Sequence, residues 1–225
     1  MKKVRAVIKF LRTIYPKQKL KKAAQKLKAI FQEAGEIREY QLLQQWISKN
    51  ALNSFDHTYL PKNKLQELSD DFRKRAAHTK QVLKEHVEEV GKYVAATNQL
   101  LAEQYVVALH AQIEKIINSQ SGTMEWHELR KLIKQWMYAV NWIETGNDTK
   151  ADTDISYYDK LQEGIGRWHD AEVIKDTLYQ KQIYLSQDIE VQKDFTKASN
   201  KINQSIRYRQ KQVAEILVKT PAVTS

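Results

Sequence analysis

The sequence predicts an all-α fold, and three features carry that expectation. Six glycines and three prolines interrupt 225 residues, while Lys, Gln, Leu, Ala and Glu, which lose little side-chain freedom in a helix, recur throughout. Apolar residues return at spacings of three and four rather than two, the period of a helix with one buried face. A similar order of basic and apolar residues also occurs in both halves of the chain, as a duplicated helical unit would produce.

Residues 2–15 read as the first helix. Lys2, Arg5, Lys9 and Arg12 share one face, Val4, Val7, Ile8, Leu11 and Ile14 the other, and Pro16 ends it. A second helix is expected over about 19–34, again rich in lysine, including Lys26 and Lys28, with Gly35 as its C-cap or as a close-packing position. A third runs from Glu36 to about Asn50, with Leu42, Leu43, Trp46 and Ile47 inward. Arg38 stands near its start, an end whose dipole favours anions. Residues 50–63 carry the proline and polar punctuation of a connection. From Lys64 to about Gln120 the only breaker is Gly91. One helix of that length would extend roughly 80 Å, so two are expected, dividing between Gly91 and Leu101.

Thr123 is the candidate N-cap of the next helix, which contains WHELRKLIKQWMY at 126–138. At 100° per residue, His127, Arg130, Lys131 and Lys134 fall within about 100° of arc, with Tyr138 beside them. Leu129, Leu132, Ile133, Trp136 and Val140 form the opposite, apolar stripe. After a polar stretch at 145–154, a helix is expected to end near Gly164 or Gly166, followed by another through RWHDAEVIKDTLYQKQIYL. The last helix, about 193–218, bears seven Lys or Arg between Lys193 and Lys219 against Asp194 and Glu215.

Charge separates the classes of function. The net +10 lies wholly in residues 1–49, which hold 13 Lys or Arg against three Glu, whereas the remainder balances 24 against 24. Such asymmetry suits a polyanionic partner. No cysteine is present, so a disulfide framework and a thiolate metal site are excluded. No apolar run reaches the roughly 18 residues of a membrane span, and the basic start lacks a signal-peptide core, so a cytoplasmic protein without a membrane partner is expected. There is no phosphate-cradling Gly-rich loop and no nucleophile elbow.

The two halves align in order. Arg5 pairs with Arg130 and Lys9 with Lys134 at an offset of 125, while Gly35, Arg38 and Glu39 pair with Gly166, His169 and Asp170 at 131. The six-residue drift falls in a connection, so the expected copies span about 1–118 and 123–219 of a single domain, 1–225.

These residues resemble the CHAD domain, the conserved histidine α-helical domain. The resemblance rests on His-x-x-Arg-x-x-x-Lys at His127, Arg130 and Lys134 with Tyr138. It rests also on LQEGIGRWHDAEV at 161–173, which is similar to the family's Leu-Gln-x-x-Leu-Gly-x-x-His-Asp-x-x-Val. Val4-Arg5-x-x-x-Lys9 and Gly35-x-x-Arg38-Glu39 are similar to the earlier copy, and 73–84 to the basic helix between copies. Lys2 replaces the family's first histidine and Glu39 its first aspartate, with charge type kept in both places. Gln135 and Met137 stand where members often carry arginine. The resemblance implies two pseudo-symmetric antiparallel bundles of four-helix type, with basic helices converging on a central channel or surface. It also implies binding of inorganic polyphosphate without hydrolysis, in relatives that occur alone or beside a triphosphatase-type domain and associate with polyphosphate granules.

The chemistry agrees with that implication. Polyphosphate offers a line of charge with no bases to read, and mixed Arg and Lys suit it, guanidinium as a fork and ammonium as a mobile point charge. The expected contacts are Lys2, Arg5, Lys9, Arg12, Lys28, Arg38, Arg130, Lys131 and Lys134, with His127 and His169 shaping or supplementing the site. No catalytic residue, metal or cofactor is expected. Two alternatives stay open. A nucleic-acid binder would share the phosphate contacts and add a recognition helix or exposed aromatics. A metal phosphohydrolase could use His127, His169, Asp170 and Asp176, against the repulsion of Arg130, Lys131 and Lys134.

Overall fold

A computed structural model describes residues 2–15, 18–50, 52, 63–119, 122–144, 155–182 and 189–219. Among them the chain forms seven helices: α1 (Lys2–Ile14), α2 (Gln18–Lys49), α3 (Lys64–Ala95), α4 (Gln99–Asn118), α5 (Thr123–Glu144), α6 (Ile155–Gln182) and α7 (Ile189–Val218). No strand occurs among the described residues. The expected connections at 50–63 and 145–154 lie almost wholly outside those residues.

Two expected helix breaks are absent. α2 passes through Gly35 and α6 through both Gly164 and Gly166, and neither Gly35 nor Gly164 adopts a positive φ. The reason lies in the apolar pattern. At 100° per residue Leu20, Ala23 and Leu27 occupy one face of α2, while Leu43 and Ile47 occupy the opposite one. A stripe that changes face looks like two helices in sequence, yet each part buries its own leucines. Those burials outweigh the ~1 kcal/mol by which an interior glycine disfavours a helix relative to alanine. In α6 the buried face likewise shifts, from Leu161 and Ile165 to Ala171, Ile174 and Leu178. Arg38 is therefore mid-helix, and the helix-dipole argument for it does not apply; His169 and Asp170 start no helix either.

The break expected between Gly91 and Leu101 is present, at 96–98. Asn98 caps α4 with extended backbone, φ −84° and ψ 160°, and its Oδ1 accepts from the Leu101 N–H at 2.9 Å. Thr123 is the first residue of α5 rather than the cap before it.

Contacts divide the chain into two compact units, each drawing on both halves of the sequence. The first comprises Met1–Ala29, Thr79–Ile165 and Val213–Ser225; the second comprises Ile30–His78 and Gly166–Gln212. In the first unit Ile8, Phe10 and Leu11 of α1 pack with Leu20, Ala23 and Leu27 of α2 and Val90 of α3. Phe10 also meets Tyr105 of α4 and Trp142 of α5, with ring centroids at 4.7 and 5.3 Å. α4 and α5, joined by residues 119–122, pair extensively, and the apolar stripe Leu129, Leu132, Ile133, Trp136 and Val140 is buried as expected. In the second unit Leu43 and Ile47 of α2, Trp168 to Leu178 of α6, and Val191, Phe195, Ala198, Ile202 and Ile206 of α7 supply the buried residues.

Candidate functional site

The basic row of α1 faces outward because its opposite side is consumed by the core. Arg5, Lys9 and Arg12 are exposed; the Lys2 side chain lies outside the described residues. On α5, His127 and Lys131 are exposed, whereas Arg130 and Lys134 are half-buried. The two rows come from the start and the middle of the sequence and meet in the first unit, where α1 packs on α5. Lys9 lies within the electrostatic reach of Glu128 and Lys131. Its ammonium is held below the ordinary lysine value, chiefly because neighbouring atoms displace part of its hydration although the residue as a whole is exposed. Lys131 pushes the same way, and Glu128 opposes them. Glu128 also accepts from Lys131 Nζ at 3.2 Å. An acid within this cationic group was not singled out from sequence.

Arg130 is tied into the fold. Its Nε donates to the backbone carbonyl of Gln162 at 3.2 Å, fixing the guanidinium stem against α6. Lys28, on the first part of α2, is exposed in the same unit.

Arg38 and His169 belong to the second unit. Arg38 Nη2 donates to Asp170 Oδ1 and Oδ2 at 2.8 and 2.9 Å, joining α2 to α6. The motif residues Gly35-x-x-Arg38 and His169-Asp170, which sequence alone aligned as equivalents, thus touch each other. His169 is half-buried, its ring centroid 6.4 Å from that of Trp168. In the stretch resembling a separate basic helix, Arg73 pairs with Asp70, Lys74 with Asp71 and Arg75 with Glu33, so much of its charge is answered locally.

Two further features of the first unit were not legible in sequence. Tyr158 Oη lies 2.9 Å from His110 Nε2 and donates to Glu114, a polar cluster packed against Trp136. A cavity of about 270 Å³ opens between α1, α4 and α5, walled by Val7, Phe10, Tyr105, Ala139 and Trp142 with Lys3 beside it. Its apolar wall is the wrong chemistry for a phosphate chain. Among the described residues no three His, Cys, Asp or Glu side chains converge as a metal site. His127 falls in the first unit, while His169, Asp170 and Asp176 fall in the second. No described helix is long and apolar enough to cross a membrane.

A family model described as CHAD domain matches residues 1–179. Comparison with curated proteins and with solved structures gives no match. The match covers α1 to most of α6, and α7 lies beyond it.

Proposed function

The chain belongs to the CHAD-domain family, and from that premise we propose that it binds inorganic polyphosphate without hydrolysing it, along the basic faces of α1 and α5. The observation that carries the reading is the meeting of Lys9 with Lys131, cations 122 positions apart in sequence, within one unit. Like charges 4 Å apart repel by about 1 kcal/mol even in water. Glu128 already offsets the repulsion at Lys9, and a bound polyanion would offset it along the rest of the two rows. Arg5, Arg12, Lys28, His127, Arg130 and Lys134 are the further contacts we propose within that unit, and Lys2, Arg38 and His169 are proposed as contacts in their own right. We read the halves as copies of one helical unit, whose helices intermix in the two compact units, each of which draws on both halves, and not as one bundle per half. The support is their shared order: a basic helix (α1, α5), a long glycine-bearing helix (α2, α6) and another long helix (α3, α7). Cytoplasmic polyphosphate, including its granules, is the ligand such a module would meet.

A nucleic-acid reading has one observation in its favour. Tyr208 on α7 is exposed beside Arg207, Arg209 and Lys211, the aromatic-plus-cation composition on which bases stack. Titration with long-chain polyphosphate and with DNA of equal charge, at roughly 0.15 M salt, separates the two, since both use phosphate contacts but only DNA rewards stacking. Tighter binding of polyphosphate is expected. Equal or tighter binding of DNA overturns the reading.

A further inference from the structure

We propose that Asp170 is a built-in counter-anion of Arg38 in the second unit: the carboxylate pairs with Arg38, and a phosphate group binds Arg38 by displacing it. The inference rests on the polyphosphate reading and adds a residue that sets the affinity.

Three observations carry it. Both Asp170 oxygens converge on the single nitrogen Nη2, leaving Nη1 and Nε of Arg38 without a partner among the described residues. The carboxylate therefore does not use the fork of the guanidinium, which a phosphate can engage with two oxygens at once. The pair is also exposed, with side-chain accessibilities of 50% for Arg38 and 30% for Asp170. Water and salt keep such a pair weak enough to exchange. Finally, Asp170 has no other polar contact among the described residues, and it lies inside α6, far from any helix end to cap. Its position in the fold is accounted for by Arg38 alone. Both two-nitrogen edges of the guanidinium, Nε with Nη2 and Nη1 with Nη2, include the nitrogen that Asp170 holds. A phosphate that takes either edge must therefore displace the carboxylate, and a carboxylate held by one nitrogen is a competitor a charge-dense anion can replace.

The test is a mutant cycle read by titration with long-chain polyphosphate at roughly 0.15 M salt, with thermal melts of each variant. Asp170→Asn keeps shape and removes the competing charge, so affinity is expected to rise about two- to fivefold, the range an exposed ion pair supports. Arg38→Gln is expected to weaken binding, and adding Asp170→Asn to it should give no further gain. That non-additivity distinguishes direct competition from a general change of net charge. Unchanged or weaker binding by Asp170→Asn overturns the proposal, since the carboxylate then positions Arg38. A gain that survives in the Arg38→Gln background overturns it as well, as does a variant that no longer folds. A wild-type protein that does not bind polyphosphate sinks the polyphosphate reading itself, a different outcome from all of these.

Discussion

Tyr105 and Gln135 illustrate how a single pair fixes the ground on which the basic rows stand. Gln135 is buried on α5, in the turn after Lys131, and its Nε2 donates to Tyr105 Oη of α4. Burial raises the Tyr105 phenol from 10.0 to about 12. The folded state therefore keeps a proton that the unfolded chain loses near pH 10, so the contribution of Tyr105 to stability is intact below that pH and is lost between about 10 and 12. Tyr105→Phe removes both the acceptor and the titration. At pH 8 the variant should be less stable by about 1–2 kcal/mol, the cost of an unsatisfied buried amide. As pH rises from 10 to 12 its urea midpoint should approach that of the wild type, because only the wild type carries the Tyr105 titration. A gap that stays constant over that range would show that the phenol does not titrate as its burial requires.

At the scale of elements, the glycines separate what was legible in the sequence from what was not. Ala substituted at Gly35 or Gly91 would place its Cβ in open space, with nothing within 4 Å. Each position is inside a helix, so Gly35→Ala and Gly91→Ala should each stabilise by about 0.5–1 kcal/mol, read as a higher urea midpoint with an unchanged slope. At Gly164 a Cβ would lie 3.3 Å from Ile216 Cδ1 and 3.4 Å from Val213 Cγ2, where α6 and α7 approach closely. Alanine there gains propensity against a tight contact. Gly164→Leu overfills it and should cost about 1–3 kcal/mol or more. The apolar stripes of α1 and α5 and the break before Asn98 were readable because each depends on local period or on local capping chemistry. The continuity of α2 and α6 was not, since a face that changes along one helix is dictated by what each half packs against. For the same reason the basic rows of α1 and α5 could be listed residue by residue, whereas the Arg38–Asp170 pair and the place of Glu128 could not. Those depend on contacts 132 residues apart or between helices.

For the whole molecule the question is which basic surface carries the ligand. Residues 1–49 hold the entire net charge of +10, but α7 brings its own local excess, with seven Lys or Arg between Lys193 and Lys219 against two acids. Part of that excess is already answered: Lys193 pairs with Glu190, Lys197 with Asp194, and Lys201 donates to the Asn50 carbonyl. Arg209 is half-buried and donates to Ser205; what remains outward is Arg207 and Lys211 around the exposed Tyr208, and Lys219 just past the helix end, all outside the family match. Removing three cations from each surface compares them at equal charge. Arg5→Gln, Lys9→Gln and Arg12→Gln together should lower polyphosphate affinity more than tenfold at roughly 0.15 M salt and flatten the slope of log affinity against log salt by about 2. Each cation lost from a single-strand contact forgoes about 0.7 of a released counterion. Arg207→Gln, Arg209→Gln and Lys211→Gln together should change polyphosphate affinity less than about twofold, because screening over about 8 Å confines their influence to ligands that touch α7. All six positions lie outside the buried core, so both variants should retain the wild-type melting transition. The reverse pattern, with α7 carrying the affinity and the salt slope, would move the site to a surface that pairs cations with the exposed Tyr208, and with it the weight of argument to a nucleic acid.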